Sequence, residues 1–221
     1  MEISVQGTHE ETVQPEIGRL HASAQAEAGD KNEVLRAATA VVQRLHAELT
    51  RLQEGGTVSQ IVVRPITTSS WRPVSRGRQQ PPIYRAHASI RADFTDFVAL
   101  ADLAAQLGAM EGLELNRVEW RLTDATRRDL ENTCLTRAVE QARDRALTMA
   151  RAAGESAVAF VQLADPGLLG QRPAVESFGG LPQAGMMRSA MMSDDLAGIE
   201  IQPEDLTVSG VVEARFATVT S

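Results

Sequence analysis

From Tyr84 to Phe94 the chain alternates without a slip. Tyr84, Ala86, Ala88, Ile90, Ala92 and Phe94 share one parity, and Arg85, His87, Ser89, Arg91 and Asp93 the other. Period two over this length fits a strand with one buried and one polar face, and does not fit a helix. A second run has the same form: Leu20, Ala22, Ala24, Ala26 and Ala28 alternate with His21, Ser23, Gln25 and Glu27. Its inward residues are mostly alanine, a weak strand former, so pattern and not propensity carries the assignment. So many small residues also require something to pack very close to that strand.

Each alternating run leads into a helix. Asp30 is a good N-cap, with Glu33 at the reciprocal capping position. Val34, Leu35, Ala38, Val41, Val42, Leu45, Leu49 and Leu52 give one apolar face to about Gln53, and Gly55-Gly56 ends it. Thr95 or Asp96 caps a second helix carrying Phe97, Leu100, Leu103, Ala104 and Leu107 as far as Gly108. Between these units, Val58 to Thr68 is rich in strand formers, and Pro65 within it predicts an edge or a bulge. Ser69 to Pro82 turns polar and predicts a long, mobile hairpin connection. Leu113 and Leu115 open another strand that Val118, Trp120 and Leu122 continue in the opposite phase. The slip at Asn116-Arg117 predicts a β-bulge.

A third helix runs from about Thr126 to Ala153. Ala138, Ala142, Ala146, Ala150 and Ala153 form a small-residue stripe along it, suited to close packing on a sheet or helix. The apolar run Ala157 to Leu163 predicts a short buried strand. Residues 165–198 hold glycine, proline and methionine without periodicity, the mark of a long loop, and Leu206, Val208, Val212, Ala214 and Phe216 form a closing strand. The expected fold is α+β: a ferredoxin-like βαββαβ core over 17–124, its antiparallel or mixed sheet carrying helices on one face. An extra C-terminal helix, the long loop and the closing strand, over 125–221, extend or cap that layer. The whole of 1–221 reads as a single domain.

With 43% hydrophobic and 23% charged residues, the composition is that of a globular protein. No apolar stretch reaches the roughly 20 residues that cross a bilayer. Cys134 is the only cysteine, which excludes an intramolecular disulfide and any multi-cysteine zinc site. Met1-Glu2 leads straight into the strand-like Ile3-Ser4-Val5-Gln6-Gly7 without the features of an export signal, so a cytoplasmic location is expected. Between Val58 and Ala92 stand six arginines (64, 72, 76, 78, 85 and 91) and no acid. Removing those six from the net charge of −7 leaves −13 on the rest of the chain. Such a segment suits nucleic acid or an acidic protein, with Arg72, Arg76, Arg78 and Arg85 as contacts. A hairpin meeting an acidic patch of the same or a neighbouring subunit explains it more simply, because whole-domain basicity is missing.

Signatures of chemistry are sparse. His9, His21, His46 and His87 show no metal-ligand spacing, and no GxSxG, Walker or GxGxxG pattern occurs. His21 and His87 lie on the polar parity of two strands, where a metal or pH-sensitive pair would need those strands to be neighbours. Met186, Met187, Met191 and Met192 cluster within seven residues; soft thioethers suit Cu(I), but an adaptable apolar loop docking on a partner is the plainer reading. Asp194, Asp195, Glu200, Glu204 and Asp205 read as a solvated acidic approach to the last strand. Trp71 and Tyr84 flank the basic segment, a stacking combination that a sheet-edge pair explains equally well. No catalytic residue, cofactor or metal ligand is assigned.

Three segments together carry a resemblance. They are the opening Val5-x-Gly7 strand with Pro15-Glu16, the helix containing Arg137-Ala138-Val139, Ala142-Arg143, Ala146, Ala150, Ala153 and Gly154, and the end Ile201-Gln202-Pro203-Glu204 followed by Val208-x-Gly210-Val211-Val212-x-Ala214-x-Phe216. In these the chain resembles the SIMPL domain family over nearly its full length. The resemblance implies a bacterial protein of no agreed enzymatic activity, loosely linked to stress tolerance and tending towards ring-like homo-oligomers. It supplies no catalytic residues. The chain departs from the family in lacking the usual export signal and the second glycine near its start. The resulting expectation is a non-enzymatic, oligomer-forming scaffold or assembly subunit whose contact elements are the arginine-rich hairpin and the methionine-rich loop. Binding of an anionic partner is the alternative, and metal handling by the methionines a weaker one.

Overall fold

A computed structural model describes residues 1–169 and 202–219. The chain divides into two compact units, one of Gln14–Thr123 with residues 202–206 and a second built from Met1–Val13 with residues 124–169 and 207–219. In chain order the elements are β1 (Glu2–Val13), β2 (Ile17–Ala28), α1 (Lys31–Glu54), β3 (Val58–Val63), β4 (Thr67–Trp71), β5 (Val74–Ser75) and β6 (Arg78–Gln79). They continue with β7 (Ile83–Phe94), α2 (Phe97–Gly108), β8 (Leu113–Arg121), α3 (Asp124–Ala152), β9 (Ala157–Ala164) and β10 (Leu206–Val219).

The first unit is a ferredoxin-like sheet. Its strand order is β3-β7-β2-β8, each neighbouring pair antiparallel, so β7 is inserted between β2 and β3 and β2 between β7 and β8. The two alternating sequence runs are the central strands, paired from Gly18–Phe94 to Ala28–Tyr84. Their even-numbered residues Leu20, Ala22, Ile90, Ala92 and Phe94 form one core with Leu45 and Leu49 of α1 and Leu100, Leu103 and Leu107 of α2. Both helices are capped as the sequence implies. Asp30 Oδ1 accepts from the amides of Asn32 and Glu33, each at 2.9 Å. Between the two candidates for the second cap, Asp96 serves, accepting from Val98 and Ala99.

Pro65 breaks the edge strand as expected. β3 lies along residues 90–94 of β7 and β4 along residues 83–87, with the chain between them held by Arg64 N donating to Ser89 O. The predicted bulge is present: β8 steps from Arg117, opposite His21, to Leu115, opposite Ala22, and Asn116 is the extra residue. The segment after Ser69 differs from the loose connection expected. β4 continues the sheet, and β5 and β6 close a two-stranded ribbon through Arg76 (φ 50°) and Gly77 (φ 74°). Two central residues at positive φ are what a tight type I′ hairpin turn requires.

In the second unit, β1, β10 and β9 form a three-stranded sheet in that order. The late elements therefore do not extend the larger sheet but build a layer of their own with the first strand. Ala138, Ala142, Ala146 and Ala150 of α3 are fully buried with Ile3, Val5, Val212, Ala214 and Phe216. The alanine stripe packs against the sheet, and two glycines let it come that close. A Cβ on Gly210 would stand 2.5 Å from the carbonyl carbon of Cys134, and Gly7 is tighter still against Ala138.

Candidate functional site

On the larger sheet, the face opposite the core helices carries its polar residues in cross-strand rows. Gln60, Asp93, Arg19 and Glu119 make one row; Val62, Arg91, His21 and Arg117 the next; then come Ser89 with Ser23, His87 with Gln25, and Arg85 with Glu27. Directly opposed side chains on one face of a sheet are close enough to interact. Arg19 donates to both oxygens of Asp93 at 2.7 Å through a two-pronged pair that is largely buried. His21 Nε2 lies 3.2 Å from Glu119 Oε2, and the same carboxylate reaches Arg121 at 3.7 Å and Arg117 at 3.9 Å. Ser23 Oγ donates to Asn116 Oδ1 at 3.1 Å, which fixes the bulged residue over this face.

Where the His21 row meets the Ser23 row there is a hollow of about 310 Å³, lined among others by His21, Arg64, Ser89, Arg91, Asn116 and Arg117. No carboxylate of the described residues lines it. Arg91 Nε is buried and has no hydrogen-bond partner among the described residues. The pocket is thus a convergence of guanidinium groups from β7, β8 and the chain just after β3, with hydroxyl and amide donors between them.

The structure divides the basic run into three parts. Arg72, Arg76 and Arg78 are exposed on the ribbon beside exposed Trp71 and Val74. Arg85 is engaged, ion-paired with Glu27 and 5.1 Å from the centre of the Trp71 ring. Arg64 and Arg91 leave the ribbon altogether and face the hollow. Tyr84 does not join Trp71 at an edge; it packs on the helix side with Ile66 and residues of α1. His21 and His87 do lie on neighbouring strands, but their partners are Arg91 and Gln25, two rows apart, so they form no pair. Among the described residues, no three of His, Cys, Asp or Glu gather as a metal site. Met186, Met187, Met191 and Met192 lie outside the described residues, as do Asp194, Asp195 and Glu200.

Two features of the second unit bear on function. Cys134 is completely buried on α3, its thiol donating to Val208 O at 3.4 Å. Burial, with the Glu11 charge adding to it, raises the thiol above its ordinary value of 9.0, the reverse of what a reactive nucleophile needs. β9 is not the buried strand expected. It pairs with β10 on one side and, among the described residues, with nothing on the other. Phe160, Val161 and Leu163 are 47%, 54% and 50% exposed. An unbroken apolar run reads the same whether it lies inside a sheet or along its edge, so the pattern alone could not separate the two.

One unit is a split βαβ sheet under two helices and the other a three-stranded sheet under a long alanine-striped helix, which together define an α+β protein. The family model of SIMPL, described as a protein of unknown function (DUF541), matches residues 3–216, and the chain belongs to that family. No curated protein matches it. No helix among the described residues is long and apolar enough to cross a membrane.

Proposed function

We propose that this protein acts by association and not by catalysis, as a subunit that assembles with copies of itself. The observation that carries this reading is β9. Its sequence, Ala157-Val-Ala-Phe-Val-Gln-Leu-Ala164, contains no charge and no proline, the devices that normally guard a sheet edge. A bulge at Val161, where β10 steps from Arg215 to Phe216, divides the strand and leaves Ala157–Phe160 as the regular stretch of edge. Such an edge pairs readily with its own copy, because a two-fold axis sets identical strands antiparallel. This contact alone closes a dimer. A ring needs a second, head-to-tail contact, for which the ribbon with exposed Trp71 and Val74 offers the surface.

The test is sedimentation velocity on the full chain at micromolar concentration. Wild type is expected to sediment as an oligomer, and the Ala159→Lys/Val161→Lys variant as a smaller species with the same thermal midpoint. A monomeric wild type would sink the reading.

A second reading rests on Arg72, Arg76 and Arg78, three exposed cations on one ribbon with an exposed indole. It makes the ribbon a contact for an anionic macromolecule, nucleic acid or acidic protein. Affinity for single-stranded nucleic acid should then fall steeply with salt, and more gently once the three are changed to Gln. Binding indifferent to salt rules it out.

A further inference from the structure

The hollow on the larger sheet requires an explanation that neither edge pairing nor the ribbon supplies. Arg91 and Arg117 stand on either side of His21 in one cross-strand row. Two guanidinium groups two strands apart concentrate positive charge on this part of the face. Arg64 adds a third guanidinium from the chain just after β3. Against these, the one carboxylate ion-paired with the row among the described residues is Glu119, which His21, Arg117 and Arg121 already share. Arg64 and Arg91 have no ion pair among the described residues. Arg91 Nε is itself out of solvent and has no acceptor among the described residues, so the terminal nitrogens of its fork are the part a ligand in the hollow could meet.

We propose that this hollow binds a compact, multiply charged oxyanion of the phosphate type. The donors favour that class over a planar carboxylate. A carboxylate satisfies one guanidinium fork in its own plane, whereas here the forks arrive from β7, β8 and the residue after β3, with Ser89 and Asn116 between them. A tetrahedral group, whose oxygens leave one plane, can engage all of these directions. At about 310 Å³ the hollow lies at the lower end of ligand-pocket sizes, so it suits a phosphate or diphosphate group better than a large organic body. The Asn116 bulge, held by Ser23, sets the amide at the rim, and bulges commonly re-aim a side chain beside a binding site. The site lies within residues 14–123 and is independent of pairing through β9.

Isothermal titration of the full chain with sodium pyrophosphate at low ionic strength tests the proposal. One saturable site per chain is expected, with inorganic phosphate weaker and succinate weaker still. Arg91→Gln and Arg117→Gln should each weaken pyrophosphate at least tenfold. Arg64→Gln, exposed beside the edge strand, should do the same and serves if the Arg91 variant does not fold. The ribbon variant Arg76→Gln/Arg78→Gln should leave affinity within twofold. The proposal is overturned by absence of saturable binding to wild type at millimolar pyrophosphate. It is also overturned if the ribbon variant loses as much as the pocket variants, or if succinate binds as tightly as pyrophosphate.

Discussion

Gly7 lies so close beneath Ala138 that a Cβ there would stand 2.0 Å from the Ala138 carbonyl oxygen and 2.8 Å from the Ala142 Cβ. The first strand and the long third helix are therefore in backbone contact. The alanine stripe and the glycine are two halves of one fit: neither would bring strand and helix together without the other.

Gly7→Ala should destabilise the unit that contains α3 by about 3 kcal/mol or more, because the obstacle is backbone that cannot rotate away. Gly210→Ala, 2.5 Å from backbone of Cys134, should behave alike. Urea unfolding followed by circular dichroism measures both, and a loss below about 1 kcal/mol would show that the helix lifts off at little cost.

Arg19→Ala should cost on the order of 2–4 kcal/mol, since it leaves the Asp93 carboxylate buried without its two-pronged partner. Replacing both residues by apolar ones should recover most of the loss. A double variant as unstable as Arg19→Ala would mean that this ion pair contributes more than its own satisfaction.

Alkaline pH should weaken the native state through Cys134. Its folded value is raised above the ordinary 9.0, so above that pH the unfolded chain loses a proton that the native chain keeps. Stability is then fully present below about pH 9 and falls as pH rises towards the folded value. Cys134→Ala should flatten that part of the stability profile. An unchanged slope in denaturation midpoints between pH 8 and 10.5 would assign the loss to other groups.

Gly77→Val should open the ribbon tip, because φ of 74° suits glycine and not a β-branched residue. β5 and β6 bury nothing, so global stability should change by less than about 0.5 kcal/mol. Trypsin should then cut faster at Arg76 and Arg78, whereas Arg72 precedes Pro73 and is not a tryptic site. Unaltered cleavage would mean that the turn does not hold the tip.

Patterns confined to one element were legible in the sequence. The central strands, the caps at Asp30 and Asp96, the break at Pro65 and the bulge at Asn116 each follow from residues within a few positions of one another. What escaped depends on register between distant segments. His21, Arg64, Arg91 and Arg117 meet only because β2, β7, β8 and the end of β3 pair in one particular alignment, and in the sequence Arg64 and Arg91 are merely the ends of a basic run. The signal that existed was parity: Arg91 and His21 occupy the polar positions of the two clearest strands. β9 escapes for a different reason, since its composition says apolar but not which side is covered.

The interruptions along the larger sheet set a limit on how it can grow. One outer edge is split by Pro65 into β3 and β4, six and five residues long. The other, β8, is broken at Asn116. A visiting strand would run out of regular rungs within six residues on either side, so runaway fibre formation through this sheet is checked at both ends. The larger sheet thus carries a built-in brake on polymerisation through its own strand edges.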